Sequence, residues 1–149
     1  MNPSDPKVIQ IDRQNLNEFL KLVAKRQALT PDINWGDFNP QSIAAANFFI
    51  YAVQHREELV GYVSVVFIPK PDGRIGTLYV DELWVLEEFR RQGLARCLMD
   101  EVVRLGYRLN AWELRLYVNE TNQAARHFYQ SLGMTETAQT RYCVKSFRS

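Results

Sequence analysis

Residues 80–99, VDELWVLEEFRRQGLARCLM, decide the fold of this chain. An apolar, strand-like run passes through a short acidic patch and reaches residues 90–96, where the spacing predicts the start of an amphipathic helix. The first backbone N–H groups of a helix have no intrahelical partner, and the helix dipole favours an anion there. Gly93 lets the backbone approach a ligand closely, and the neighbouring arginines carry permanent charge. The stretch therefore predicts a binding site for a phosphorylated ligand.

Length and composition are those of an ordinary globular domain. The chain has 149 residues, of which 46% are hydrophobic and 23% charged, so we expect one domain over residues 1–149. The formal net charge of +1 argues against nucleic acid as a partner. No apolar run approaches a membrane span, and the N-terminus does not resemble a signal peptide. Cys97 and Cys143 lack neighbours at metal-ligand spacing, so we expect no metal site and a reducing, cytoplasmic compartment.

The apolar pattern predicts an α+β (mixed α/β) domain around one central sheet. A first strand over residues 7–11 leads into a helix for which Asp12 is the expected N-cap. A meander of three antiparallel strands follows, and the step from Asp81 to Val118 should be a right-handed crossover joining two parallel strands. Gly133 is expected to end the last helix. The remaining predicted elements are strands at 48–54, 59–68, 74–85 and 113–118, helices at 93–109 and 122–132, and two short strands after Thr135, the last at 141–147.

The arginine-glycine turn has the form Arg90-x-x-Gly93-x-Ala95. It lacks the glycine-lysine signature of nucleoside triphosphatases and the three glycines of a dinucleotide fingerprint. Small residues at 93 and 95 would let successive N–H groups line a concave nest. The structural alternative is a basic turn that starts a helix and binds nothing. Arginines in the first helical turn oppose the helix dipole, and a bound anion would resolve that conflict.

A second group of polar residues follows the next predicted strand. Asn119 and Asn122 bridge a strand end to a helix start and offer amide groups to a ligand. Tyr129 lies one helical turn before Gly133. Alone, such a tyrosine is usually a half-buried packing residue.

Together the two segments resemble the GNAT superfamily of acyl-CoA-dependent N-acyltransferases. The first match is Val85 followed by the Arg90-x-x-Gly93-x-Ala95 turn, and the second runs from Asn119 through Tyr129 to Gly133-Met134. Ala95 replaces a frequent second glycine, and Met134 replaces a common phenylalanine. The acidic pair Asp81-Glu82 is similar to that of the small-amine acetyltransferase branch.

The resemblance implies a mostly antiparallel mixed sheet with helices on both faces and a parallel strand pair that splays to hold acyl-CoA. The pantetheine arm would pair with the backbone of the first of these two strands. The pyrophosphate would lie on the N–H groups of residues 91–96, and the arginines would meet the phosphates. The residues implied in acyl-CoA binding are Leu83, Trp84, Val85, Arg90, Arg91, Gln92, Gly93, Leu94, Ala95, Arg96, Asn119, Asn122, Ala125 and Arg126.

Acetyl transfer requires a deprotonated amine, a polarised thioester carbonyl and a proton for the leaving thiolate. The resemblance places Tyr129 as the general acid and the Val85 N–H as the polarising group. For the base, it favours Asp81 over Glu82, and a chain of waters is a further alternative. Adjacent residues of a regular strand face opposite ways unless a bulge redirects them. The structural alternative is that these are cation-binding or hydrated surface carboxylates.

The function implied is an N-acetyltransferase that moves an acetyl group from acetyl-CoA to a primary amine of a small molecule. The alternatives are a protein N-terminal or lysine acetyltransferase and a non-catalytic acyl-CoA-binding sensor. Irregular loops often carry specificity, so Trp35, Asp37 and Phe38 within residues 27–48 are expected wall residues, although Trp35 is equally suited to the core. His55 and His127 have no partners that would suggest a catalytic triad. A homodimer is one arrangement that the resemblance allows.

Overall fold

The computed structural model describes residues 5–33, 35–36, 39–137 and 141–147. The chain divides into two compact units, Met1–Leu116 and Tyr117–Ser149, and each is described by itself. The first unit contains β1 (Lys7–Gln10), α1 (Leu16–Leu29), a short 3-10 helix (Pro40–Ala44), β2 (Phe48–His55), β3 (Glu58–Ile68), β4 (Thr77–Val85), a second 3-10 helix (Glu87–Phe89), α2 (Leu94–Arg108) and β5 (Leu114–Arg115). The second unit contains α3 (Gln123–Ser131).

The five strands form one sheet in the order β1-β2-β3-β4-β5. The first four are antiparallel, and β4 pairs with β5 in parallel. This arrangement confirms the mixed α+β class and the parallel pair predicted across the crossover. Hairpins join β2 to β3 and β3 to β4, whereas the parallel pair needs the long connection that α2 supplies.

The two long helices of the first unit cover opposite faces of the sheet. The ring of Phe19 in α1 lies edge-on to Tyr62 of β3, with centroids 5.3 Å apart. On the other face, Arg108 of α2 donates a hydrogen bond of 3.1 Å to the hydroxyl of Tyr51 in β2. Tyr62 pairs with Ala52 and Tyr51 with Val63, so the two tyrosines point to opposite sides. Each helix thereby buries one apolar face of the sheet.

The parallel pair is short. Its two rungs are Leu78 with Leu114 and Tyr79 with Arg115, and the Leu78 N–H donates to the Glu113 carbonyl at 3.0 Å. The strand β4 continues to Val85, beyond the last rung. Within the described residues, the outer edge of β4 is therefore open over its second half. The parallel pair expected from the sequence is confirmed.

Two sequence predictions were wrong: the N-cap of α1 and the two strands after Thr135. The N-cap position of α1 is Asn15, whereas the Asp12 carboxylate accepts the Gln14 N–H at 2.8 Å in the turn before the helix. The described residues that follow α3 contain no strand. Alternation makes a strand only where a neighbour supplies ladder hydrogen bonds and a face to bury, and Tyr142 and Phe147 are 80% and 91% exposed.

The end of α3 follows the prediction closely. Gly133 adopts a left-handed φ of 83°. The Gly133 N–H donates to the Gln130 carbonyl at 3.0 Å, and the Met134 N–H donates to the Tyr129 carbonyl at 3.2 Å. These are the two hydrogen bonds of a Schellman cap, in which glycine pays no steric cost.

Neighbouring valines on α2 test the assignment of its buried face. Val102 is fully buried and Val103 is 44% exposed. Val102→Ala should lower the free energy of unfolding by about 2 kcal/mol, because it removes buried methyl groups and leaves a cavity. Val103→Ala is the matched control and should change it by less than about 0.5 kcal/mol. Urea unfolding measures both values, and equal losses would contradict the assignment.

Candidate functional site

The acidic pair of β4 lies at a β-bulge. Glu82 pairs with Ser64 and Val80 pairs with Val65, so Asp81 is an extra residue without a partner in β3. On a regular strand Val80 and Glu82 would share a face, but the extra residue places Val80 in the core and Glu82 on the face covered by α1. The bulge that the sequence analysis left open is therefore present at the pair itself.

The two carboxylates have different surroundings. Glu82 accepts hydrogen bonds from the Arg26 guanidinium at 2.9 and 3.4 Å and from the Tyr62 hydroxyl at 2.9 Å. Burial raises the pKa of Asp81 above its ordinary value, and the charge of Glu82 raises it further. A carboxylate with a raised pKa accepts a proton more readily, which keeps Asp81 as a candidate base.

Arg26, which the sequence analysis missed, is the centre of this cluster. Its guanidinium carbon lies 5.9, 5.6 and 5.4 Å from the ring centroids of Trp35, Tyr62 and Trp84, respectively. Its side chain is 23% exposed. Burial and the negative charge of Glu82 raise the pKa of Tyr62 to about 12, so its hydroxyl stays protonated and donates to that carboxylate. The available signal was a cation at helical spacing from Phe19 and Leu22, which are the buried residues of α1.

The backbone of β4 presents hydrogen-bonding groups at its open edge. The Leu86 N–H donates to the Val60 carbonyl at 2.8 Å, and Val85 lies opposite Gly61. Because hydrogen-bonded and non-hydrogen-bonded pairs alternate in an antiparallel ladder, the N–H and carbonyl of Val85 point away from β3, as do those of Leu83. Trp84 bonds to β3 with its backbone and packs its ring against Tyr62, at a centroid distance of 6.1 Å. Of the predicted trio, two residues thus offer backbone groups to the open edge.

The turn before α2 has the backbone of an anion nest. Arg91 and Gly93 adopt left-handed φ values of 61° and 79°. The helix begins at Leu94 with no side-chain cap, and the first N–H to bond back is that of Cys97, to the Gly93 carbonyl at 3.1 Å. The N–H groups of Leu94 and Ala95 therefore lie in the first helical turn without an intrahelical acceptor. This geometry fits the pyrophosphate position that the resemblance implies.

The side chains of the same turn have more varied places. The Arg90 Nε donates to the Val85 carbonyl at 2.8 Å, which ties the turn to the end of β4. Gln92 donates to the Glu88 carbonyl at 3.3 Å. Leu94 is buried in the core, and Arg91 and Arg96 are exposed. Arg90 thus has a structural partner in addition to its predicted role with phosphates.

Polar residues of the second unit are engaged in local structure. The side-chain Oδ1 of Asn122 caps α3 by accepting the Ala125 N–H at 3.1 Å. The Asn119 side chain accepts the N–H and hydroxyl of Thr121 at 3.0 and 2.8 Å. Both amide NH2 groups lie outside these bonds. Arg126 forms an ion pair with Glu136 at 2.8 Å, so a phosphate at Arg126 would compete with that carboxylate.

Tyr129 is half-buried in α3, and its ring lies 5.2 Å from that of Phe128. Burial raises the pKa of the Tyr129 hydroxyl. A phenol with a raised pKa is protonated at neutral pH, which is the state that a general acid requires.

The remaining sequence candidates are placed as follows. The Trp35 indole N–H donates to the Thr30 carbonyl at 3.0 Å, and its ring lies beside Arg26. Asp37 and Phe38 lie outside the described residues. The ring of His55 lies 5.2 Å from that of Phe89 at an interplanar angle of 53°, and His127 is exposed. Trp35 is therefore the wall candidate that lies beside Arg26.

The sheet order, the open parallel pair and the turn before α2 define an acetyltransferase fold, and comparison with known proteins identifies the family. The model of the acetyltransferase (GNAT) family matches residues 15–134. The chain belongs to this family.

Two relatives of similar sequence identity are named for different activities, one as an acetyltransferase and one as a regulatory factor. N-acetyltransferase 8 of Homo sapiens is 30% identical over 94 residues, which are 63% of this chain and 41% of that protein. The PanD regulatory factor of Escherichia coli (strain K12) is 31% identical over 102 residues, which are 68% of this chain and 76% of that protein. The chain thus spans about two fifths of the human relative and about three quarters of the bacterial one.

Solved structures share the fold at low sequence identity. An aminoglycoside acetyltransferase from an uncultured soil metagenomic sample, in complex with trehalose, superposes with a TM-score of 0.85 at 16% identity, covering 96% of this chain and 97% of that one. AAC(6')-Iy in complex with a CoA bisubstrate analogue gives 0.80 at 18% identity, covering 96% and 99%. These likenesses confirm the predicted fold. Among the described residues, no helix has the length and apolar character needed to span a membrane.

The raised pKa of Asp81 has a consequence for stability. The pKa of Asp81 is higher in the folded protein than in the unfolded chain, so the ionised carboxylate lowers the free energy of unfolding at neutral pH. This loss disappears once the pH falls below the pKa of an aspartate in the unfolded chain, which is about 4. Asp81→Asn should therefore raise the melting temperature at pH 7 by about 1–2 °C, with no gain near pH 3. Asp100→Asn, on the exposed side of α2, is the control and should give no such gain. Calorimetry at both pH values measures the difference, and an Asp81→Asn protein less stable than wild type at pH 7 would refute the assignment.

Proposed function

We propose that this chain is an N-acetyltransferase that moves an acetyl group from acetyl-CoA to a primary amine of a small molecule. One observation carries the proposal: the open edge of β4, with the backbone groups of Leu83 and Val85, leads directly into the left-handed turn at Arg91 and Gly93. An extended ligand arm with a pyrophosphate at its end matches an open strand edge followed by an anion nest.

Within this proposal, four groups of the chain have chemical roles. Asp81 accepts the proton of the incoming ammonium, directly or through water, since its pKa is raised. The Val85 N–H donates to the thioester oxygen as negative charge develops there. Tyr129 gives its proton to the departing thiolate. Glu82 holds Arg26 and Tyr62 in place next to the base.

The acceptor is proposed to be a small amine because the carboxylate of Asp81 would attract a cationic amine. Two of the fold relatives named above are aminoglycoside acetyltransferases, which supports a small-molecule acceptor. A protein N-terminus or lysine is the alternative within the enzyme class. We also propose a single domain acting in the cytoplasm, in keeping with the free thiols of Cys97 and Cys143.

A second function is favoured by one specific finding. The bacterial relative with 31% identity is named a regulatory factor. The alternative for this chain is therefore an acyl-CoA-binding sensor that acts by contact with another protein and transfers nothing.

A binding and turnover assay separates these functions. Calorimetry with acetyl-CoA tests the grip, and mass spectrometry of acetylated products tests transfer to small monoamines, diamines, amino acids, aminoglycosides and lysine peptides. We expect micromolar binding and acetylation of at least one small amine. Acetylation of peptides alone would favour the protein acetyltransferase, and binding without any product would favour the sensor. Absence of acetyl-CoA binding would overturn all three.

Tyr129→Phe tests the proposed general acid. It removes the hydroxyl and keeps the ring, so we expect kcat to fall about 100-fold while the Kd for acetyl-CoA changes less than about twofold. Tyr107→Phe is the control, because Tyr107 is 83% exposed on α2 and has no proposed role. Steady-state kinetics at saturating amine and calorimetry give the two values. An unchanged kcat in Tyr129→Phe would remove Tyr129 from the mechanism.

A further inference from the structure

Arg26 reaches the acidic pair from a different element and is held there on several sides. The ion pair with Glu82 joins residues 56 positions apart in the chain. The guanidinium also donates to the Tyr62 hydroxyl and lies within 6 Å of the ring centroids of Trp35, Tyr62 and Trp84. A planar guanidinium stacks on rings and grips a carboxylate at the same time, which an ammonium group does less well. The cluster fixes a positive charge beside Glu82.

This fixed charge changes what the acidic pair offers to a ligand. Glu82 is 46% exposed at its side chain, but both its oxygens accept hydrogen bonds from Arg26. Because Arg26 bonds both oxygens of Glu82, the pair carries no net charge, and the net negative charge of the acidic pair with Arg26 is one. A chain without Arg26 would present two neighbouring carboxylates and attract amines with several positive charges. The chain as it is presents one.

The geometry points to Arg26 as the residue that sets the charge of the accepted substrate: by neutralising Glu82 it makes the acceptor surface select amines with a single cationic centre over diamines and polyamines. This inference rests on the proposed function and deepens it by naming a substrate class. It also separates this chain from its fold relatives, because aminoglycosides carry several amines. The three rings keep Arg26 in place, so that a second ammonium of a ligand does not simply displace it.

The test compares two amines of equal chain length, butylamine and 1,4-diaminobutane, with acetyl-CoA as donor. The wild-type protein should favour butylamine in kcat/KM. Arg26→Gln keeps a hydrogen-bonding side chain without the charge and should raise the ratio of diamine to monoamine about tenfold, mainly through KM of the diamine. Arg26→Lys keeps the charge and should leave the ratio within about twofold of wild type.

Glu82 supplies the reciprocal variants. Glu82→Gln leaves Arg26 uncompensated and should lower the diamine ratio, whereas the double variant Arg26→Gln/Glu82→Gln removes both charges and should return it to within about threefold of wild type. The affinity for acetyl-CoA and the melting temperature are measured for each variant. The ratio of diamine to monoamine kcat/KM is taken only from variants that fold and bind acetyl-CoA as the wild type does. An unchanged ratio in Arg26→Gln, a shift in Arg26→Lys as large as in Arg26→Gln, or no return in the double variant overturns the inference.

A binding measurement keeps this test separate from the proposed function. The affinities of butylamine and 1,4-diaminobutane are measured by calorimetry on the CoA-loaded protein, where no transfer occurs. If neither amine is acetylated but the affinity ratio follows the predicted pattern across the variants, the inference holds for a cation-binding surface and transfer to these amines fails. If the amines are acetylated but the ratio of diamine to monoamine kcat/KM does not change when Arg26 is substituted, the proposed function holds and the inference fails.

Discussion

The extra residue at Asp81 is the constraint on which the rest of the first unit depends. Side chains alternate along a strand, so Val80 and Glu82 would otherwise share a face, with either the valine exposed or the carboxylate buried. The bulge assigns Val80 to the core and turns Glu82 and Trp84 toward α1. From the same residue onward, it shifts which backbone groups meet β3, so that those of Leu83 and Val85 face the open edge. One inserted residue thus sets both the acidic pair and the edge proposed for pantetheine.

The charges gathered at this bulge carry a cost that the surroundings reduce. Two adjacent carboxylates repel each other, and burial disfavours the ionised form of Asp81, as its raised pKa indicates. Arg26 offsets the charge of Glu82, while Tyr62 donates a further hydrogen bond. What remains is one carboxylate in a less favourable setting than water would give it. An environment that raises the pKa of a carboxylate is typical of functional residues, since a carboxylate with an ordinary pKa would have less tendency to take a proton.

How much the sequence could predict depended on the range of each signal. The glycine turn at Gly93, the cap at Gly133 and the crossover depend on local backbone preferences, and all three were predicted. The ion pair between Arg26 and Glu82 joins distant positions, so no local pattern announced it. The sequence does not show whether β4 contains a bulge, because the register of a strand depends on its partner strand. The predicted last strand at 141–147 was wrong because alternation alone supplies no partner.

Arg90 shows how one side chain changes what a strand end offers. The sequence placed it among phosphate contacts, but its Nε donates to the Val85 carbonyl. A carbonyl pointing into the open edge would repel the oxygen of a thioester and would compete with it for any donor nearby. With that carbonyl already bonded, the Val85 N–H is the group of this residue left to face a ligand. In the proposed mechanism, Arg90 therefore prepares the donor that polarises the thioester, and it does so by joining the strand to the turn that grips the pyrophosphate.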